Sequence, residues 1–172
     1  MVPASLSSVL VGSGLVGFSG SRSVVPPVLS SVLCLRARSV GSSLVGCATG
    51  VDSSVRRGLC GVSVFSASEF GVGRGSFAAR SAAFVRALSS GGGVLVSFPS
   101  APCPVGLLPS ASSSRAFCGL GSGSWASLAF AVGSGVPCFV FAPFSVPYGW
   151  GFVSVGSGWF SFAPVAVQAS LF

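Results

Sequence analysis

The sequence predicts an α/β fold: a parallel sheet of about five strands with helices on both faces, plus a C-terminal β-hairpin. Three observations carry that expectation. Short β-rich runs alternate with helical segments from Leu15 to Phe141. Gly, Ser and Pro clusters punctuate the joins. Val94–Phe98 is continuous and apolar, as a strand buried on both faces should be.

The elements follow in order. Leu15–Phe18 reads as the first strand and ends in Ser19-Gly20-Ser21-Arg22. Pro27 suits the first turn of a helix reaching about Arg38. Ser43–Cys47 is a second strand, closed by Ala48-Thr49-Gly50, and Asp52 can cap a helix from Ser53 to about Leu59. Val62–Ser66 alternates as a third strand. A glycine loop then leads into a helix over Ser76–Ser89, with Phe77, Phe84 and Leu88 on one face. Gly91-Gly92-Gly93 stops it, and Val94–Phe98 follows as the fourth strand. Pro99–Gly119 is a Pro- and Ser-rich loop. A helix from Ser124 to about Val132 precedes a fifth strand, Pro137–Phe141.

The flanks differ. Val2–Leu10 matches Val25–Leu33 at seven of nine positions, yet no strand precedes the first copy. Residues 1–14 are therefore expected as an extension outside a core of residues 15–143. In residues 144–172, Gly151–Val155 and Trp159–Ala163 flank Gly156-Ser157-Gly158, a hairpin signal that either adds edge strands or forms a loose tail.

Composition restricts the chemistry. The 172 residues are 51% apolar and only 6% charged, where ordinary globular chains carry roughly 25% charged residues. Lys, His, Asn and Ile are absent, and Asp52, Glu69, Tyr148 and Gln168 are each the sole residue of their type. Without His there is no Ser-His-Asp triad and no histidine metal site. Two carboxylates make a carboxylate cage for magnesium or calcium implausible. Most of the depleted residues have A at the second codon position, so the bias belongs first to the gene strand. An unselected reading frame would share that bias, but not five strand–helix joins in order.

Mean hydropathy is +0.88. The most apolar window, Ala126–Phe144, is long enough to span a bilayer but is cut by Gly133, Gly135, Pro137 and Pro143. The N-terminus lacks a positive start, its first arginine being Arg22. A cytoplasmic protein away from membranes is expected, with its six cysteines as buried free thiols, since none forms a CxxC pair. The sparsely charged surface leaves homo-oligomerisation open.

Candidate site residues cluster in loops after strands. Gly121-Ser122-Gly123-Ser124 precedes a helix, where exposed N–H groups and the helix dipole favour an anion such as phosphate. Gly20, Ser21 and Arg22 follow the first strand, and ligands of open parallel sheets bind beyond the strands' carboxyl ends. Gly50 and Asp52 follow the second, with Asp52 either a helix cap or a partner for a ribose hydroxyl or base. Arg80, one turn into its helix, faces either a phosphate or solvent. Glu69 can pair with Arg74.

Val16-Gly17-Phe18-Ser19-Gly20-Ser21-Arg22 resembles the start of the Rossmann-like domains grouped as the SLOG superfamily. That group includes Smf/DprA proteins, LOG phosphoribohydrolases and YspA-type proteins. Gly46, followed by Gly50-Val51-Asp52, resembles their glycine–hydrophobic–aspartate element. Phe77-Ala78-Ala79-Arg80-Ser81 resembles their arginine-bearing helix, and Gly121-Ser122-Gly123-Ser124-Trp125 their glycine loop. The four elements keep the family order over about three quarters of the chain.

The resemblance implies a bound nucleotide or nucleotide-derived phosphate ligand, in a sensor or accessory module of DNA processing or defence. Two other readings stay open. One is a phosphoribohydrolase-type enzyme on nucleoside monophosphates, although Trp125-Ala126-Ser127-Leu128 lacks the glutamate that such hydrolases carry after the glycine loop. The other is single-stranded DNA binding, which the net charge of +7 permits.

Overall fold

A computed structural model describes residues 1–164. In chain order its elements are helix α1 (Ala4–Gly12), strand β1 (Leu15–Gly20), α2 (Val28–Arg36), β2 (Ser42–Gly46), α3 (Val51–Gly58), β3 (Val62–Phe65), a 3-10 turn (Ala67–Phe70) and α4 (Arg74–Ser90). There follow β4 (Val94–Phe98), the short α5 (Ser113–Ala116), α6 (Gly123–Gly133), β5 (Cys138–Phe141), β6 (Val153–Gly156) and β7 (Trp159–Phe162). The fold is α/β, and all seven strands form one mixed sheet in the order β3-β2-β1-β4-β5-β7-β6.

The five strands β3-β2-β1-β4-β5 run parallel. The chain winds outward from β1 through β2 to β3, then returns to place β4 on the other side of β1. That reversal leaves a crevice between the carboxyl ends of β1 and β4. The sheet has seven strands rather than about five because the hairpin β6–β7 joins it, with β7 antiparallel to β5. Trp159 opens β7, fully buried, its ring centroid 5.5 Å from that of Phe98 and 5.3 Å from that of Phe141. Residues 165–172, the end of the expected tail, lie outside the described residues.

Period-two alternation along the strands feeds two cores. Val16, Phe18, Val45, Val96 and Phe98 face α1, α2 and α3. Leu44, Leu95, Cys138 and Val140 face α4 and α6. Gly17 lies on the α4 side, where a Cβ would come within 2.6 Å of Leu88 and 2.8 Å of Phe84. Glycine there lets helix and strand pack closely.

Residues 1–14 are not outside the core. Both copies of the repeat fold as helices, and equivalent leucines are buried: Leu6 and Leu10 of α1, Leu29 and Leu33 of α2. Arg36, only 2% exposed, ties the copies together. Its Nη1 donates to the carbonyls of Leu10 (3.0 Å) and Ser13 (2.8 Å), its Nε to Ser43 Oγ (3.0 Å), and its Nη2 to the Ser42 carbonyl. A repeat without a preceding strand still carries the leucine spacing that a helix needs to reach the sheet.

Further expectations need correction. All six cysteines are free, but Cys34, Cys60 and Cys118 are exposed and only Cys138 is fully buried. Asp52 does not cap a helix, because α3 starts earlier, with Gly50 as its N-cap. Among the described residues the one ion pair is Arg80–Asp52, so Glu69 and Arg74 do not pair. No helix among those residues is long and apolar enough to cross a membrane.

Candidate ligand-binding cavity

A cavity of about 780 Å³ opens beyond the carboxyl ends of β1 and β4. Four separate stretches build it: Phe18–Arg22 at the end of β1 and just beyond it, Gly46, Ala48 and Asp52 at and after the end of β2, one face of α4, and residues from Gly119 to Ser127 around the start of α6. The loop after β4 supplies another wall through Ser100, Pro104 and Leu107. Nine of the ten expected site residues line it: Gly20, Ser21, Arg22, Asp52, Arg80, Gly121, Ser122, Gly123 and Ser124. Gly50 does not. Its φ is +66°, and a Cβ there would strike the Ser21 carbonyl oxygen and lie 2.5 Å from the Arg22 carbonyl carbon. Gly50 lets α3 approach the β1 loop, where Val51 N–H donates to the Ser21 carbonyl at 2.9 Å.

At the cavity floor, Arg80 of α4 meets Asp52 of α3. Arg80 Nη1 and Asp52 Oδ2 are 3.4 Å apart, and the residues are 7% and 5% exposed. The contact is single rather than a two-pronged fork. Arg80 Nε is buried with no hydrogen-bond partner among the described residues. Asp52 Oδ2 also accepts the Ala48 N–H at 3.1 Å. Burial raises the Asp52 carboxyl above its ordinary range; Arg80, the Ala48 N–H and nearby Arg56 pull the other way without reversing it.

Gly46 is not among the expected site residues, yet its missing side chain makes room for this pair. A Cβ on Gly46 would strike Arg80 Nη1 and come within 2.5 Å of Asp52 Oδ2. Arg56 fixes the same loop from behind, donating to the carbonyls of Gly46 (2.6 Å) and Ala48 (3.0 Å).

The glycine loop presents the N-terminus of α6. Gly121 takes φ +108°, which favours glycine, and Ser122 Oγ accepts the Trp125 N–H at 3.4 Å as a side-chain cap. A Cβ on Gly123 would meet nothing within 4 Å, so packing does not demand glycine there. Ser122 and Ser124 hydroxyls lie 3.2 Å apart at this edge. Ser21 differs, since its Oγ already accepts the N–H groups of Ser23 (3.2 Å) and Val24 (3.0 Å) and serves to build its loop.

Two lining residues, Arg74 and Phe77, carry other expectations from the sequence than a place in the site. Arg74, exposed at the start of α4, adds a third guanidinium beside Arg22 and Arg80. Phe77 was expected on the core face with Phe84 and Leu88, but it is 40% exposed and lines the cavity. Three guanidinium groups against one carboxylate give the cavity a net positive charge, suited to an anionic ligand. No group of His, Cys, Asp or Glu among the described residues is placed to hold a metal ion.

Compared with protein-family models, with curated proteins and with solved structures, the chain matches none.

Proposed function

We propose that this chain is a Rossmann-like binding domain for a nucleotide or nucleotide-derived phosphate ligand, held beyond the carboxyl ends of β1 and β4. One observation carries the reading. Four segments far apart in sequence converge on one cavity whose buried Arg80 has a single, long contact to Asp52, its only ionic partner among the described residues. The helix N-terminus behind Gly121-Ser122-Gly123-Ser124 adds N–H donors on the same cavity. The resemblance to SLOG domains supports the nucleotide class, and a cytosolic sensor or accessory module in DNA processing or defence fits a domain that binds without turnover.

Binding is favoured over hydrolysis because, among the described residues, Asp52 is the only carboxylate lining the cavity, and it is engaged by Arg80 and the Ala48 N–H. Single-stranded DNA binding has less support. Arg36 and Arg56 are spent on backbone carbonyls, and Arg80 is buried, so the net charge overstates the cationic surface.

The test is mass spectrometry of small molecules released on denaturing the purified protein. A nucleotide or related phosphate is expected from the native chain, with less from a folded Arg80→Gln variant. A native chain that releases none, and takes up none from a mixture of nucleoside phosphates and cyclic nucleotides, overturns the reading.

A further inference from the structure

Phe77 is anomalous for its helix. It shares a face of α4 with Phe84 and Leu88, which are 3% and 0% exposed, yet it is 40% exposed at the cavity. Leaving a benzyl face in water forfeits the gain of burying it. Arg22, from the loop after β1, places its guanidinium carbon 4.8 Å from the Phe77 ring centroid. Among the described residues the Arg22 guanidinium makes no hydrogen bond or ion pair, while its backbone carbonyl accepts Thr49 Oγ1 at 2.9 Å. Leu120, from the glycine loop, is a second half-exposed apolar side chain in the same lining.

We infer that Phe77 is the stacking platform for the planar base of the ligand, and that Arg22, which lies over the ring, gives way to that base. The inference rests on the nucleotide reading above and narrows it: the ligand carries a flat aromatic ring as well as its phosphate. A guanidinium over a ring is the arrangement that a base can replace, because both offer a planar face to the π-system. When the base stacks on Phe77, Arg22 is released and its fork of donors turns to the ligand's anionic end. The exposed ring and the loosely held arginine are thus two parts of one recognition device. Stacking tolerates any base, so Phe77 selects for the presence of a base rather than its identity.

The experiment compares adenosine 5′-monophosphate with ribose 5-phosphate, which lacks the base, by calorimetric titration of the native chain and of Phe77→Ala and Phe77→Trp. Native protein is expected to prefer the monophosphate. Phe77→Ala is expected to lose about tenfold in affinity for it, in line with the alanine-substitution cost of base–aromatic stacking, with ribose 5-phosphate unchanged. Phe77→Trp is expected to retain the monophosphate and to show indole quenching with it but not with ribose 5-phosphate. Equal affinity of the native chain for the two probes overturns the stacking role and leaves the phosphate cavity standing. So does an equal loss of both in Phe77→Ala. A native chain that binds neither probe overturns this inference, and one that also takes up nothing from the mixture of nucleoside phosphates and cyclic nucleotides removes the nucleotide reading with it.

Discussion

Arg80 and Asp52, 28 residues apart, meet at 3.4 Å on the floor of the cavity, where each is almost fully buried. One carboxylate oxygen serves both Arg80 and the Ala48 N–H, while Arg80 Nε has no partner among the described residues. The pair couples α3 and α4 to the loop after β2. It also leaves the arginine incompletely matched, which is the condition under which an incoming anion gains most.

The pair predicts a pH dependence of stability. Burial raises the Asp52 carboxyl above its ordinary value of 3.8, so the folded chain holds that proton more tightly than the unfolded chain. The stability from this group is full below the ordinary value and is lost as pH rises through the raised one. Urea denaturation from about pH 4 to about pH 7 should therefore show a decline in the native chain. Asp52→Asn should flatten it. A native chain that becomes more stable over that range, with the variant parallel to it, contradicts the assignment.

Gly46 should tolerate no side chain. Gly46→Ala puts a methyl group into the space of Arg80 Nη1 and Asp52 Oδ2. A cost of about 1–3 kcal/mol is expected, because the pair must separate or the loop must move. Gly123→Ala is the control: its methyl meets no atom and its helix should gain slightly. Thermal melting of the two variants checks the contrast, and equal behaviour counts against it.

How much of this was legible in the sequence depends on the residue. The five parallel strands were readable because β-rich runs and glycine punctuation are local signals. Gly121-Ser122-Gly123-Ser124 and Arg22 were readable because strand-end loops share one edge of a parallel sheet. The role of Gly46 was not, since only the fold brings α4 across β2 to set Arg80 over it. Phe77 was assigned to the core because helical periodicity gives a face and not its neighbour. Past its first turns α4 packs on the sheet, but its start overhangs the cavity. The helix at residues 4–12 has no preceding strand to announce it, and only its leucines, which match those of α2, point to the core.

That helix supplies a further prediction. Leu6 and Leu10 are fully buried among the residues of α2 and the sheet. Leu6→Ala and Leu10→Ala should each cost about 2–5 kcal/mol, the range for burying a cavity in a packed core. Removal of residues 1–14 should cost more, as Arg36 then loses the carbonyls of Leu10 and Ser13. Denaturant midpoints read this directly, and wild-type midpoints in both point variants would return the segment to an outlying extension.

Trp159 separates packing from hydrogen bonding. It is fully buried against Phe98 and Phe141, and its Nε1 has no hydrogen-bond partner among the described residues. Trp159→Phe removes an unsatisfied donor together with some volume, so the two effects offset in part. Trp159→Ala leaves a large void and should cost about 3–5 kcal/mol. Near-equal losses in the two variants, by urea denaturation, would show that the hairpin is not held by this ring.

The central claim is that the cavity takes a phosphate-bearing nucleotide through Arg80. Its most direct measurement is calorimetric titration of adenosine 5′-monophosphate into the native chain and into Arg80→Gln, with circular dichroism confirming that both are folded. The account predicts saturable one-site binding to the native chain and at least about a tenfold loss in the variant, the scale of a charge-assisted hydrogen bond. Identical isotherms for the two folded proteins, or no binding by the native chain, would contradict it.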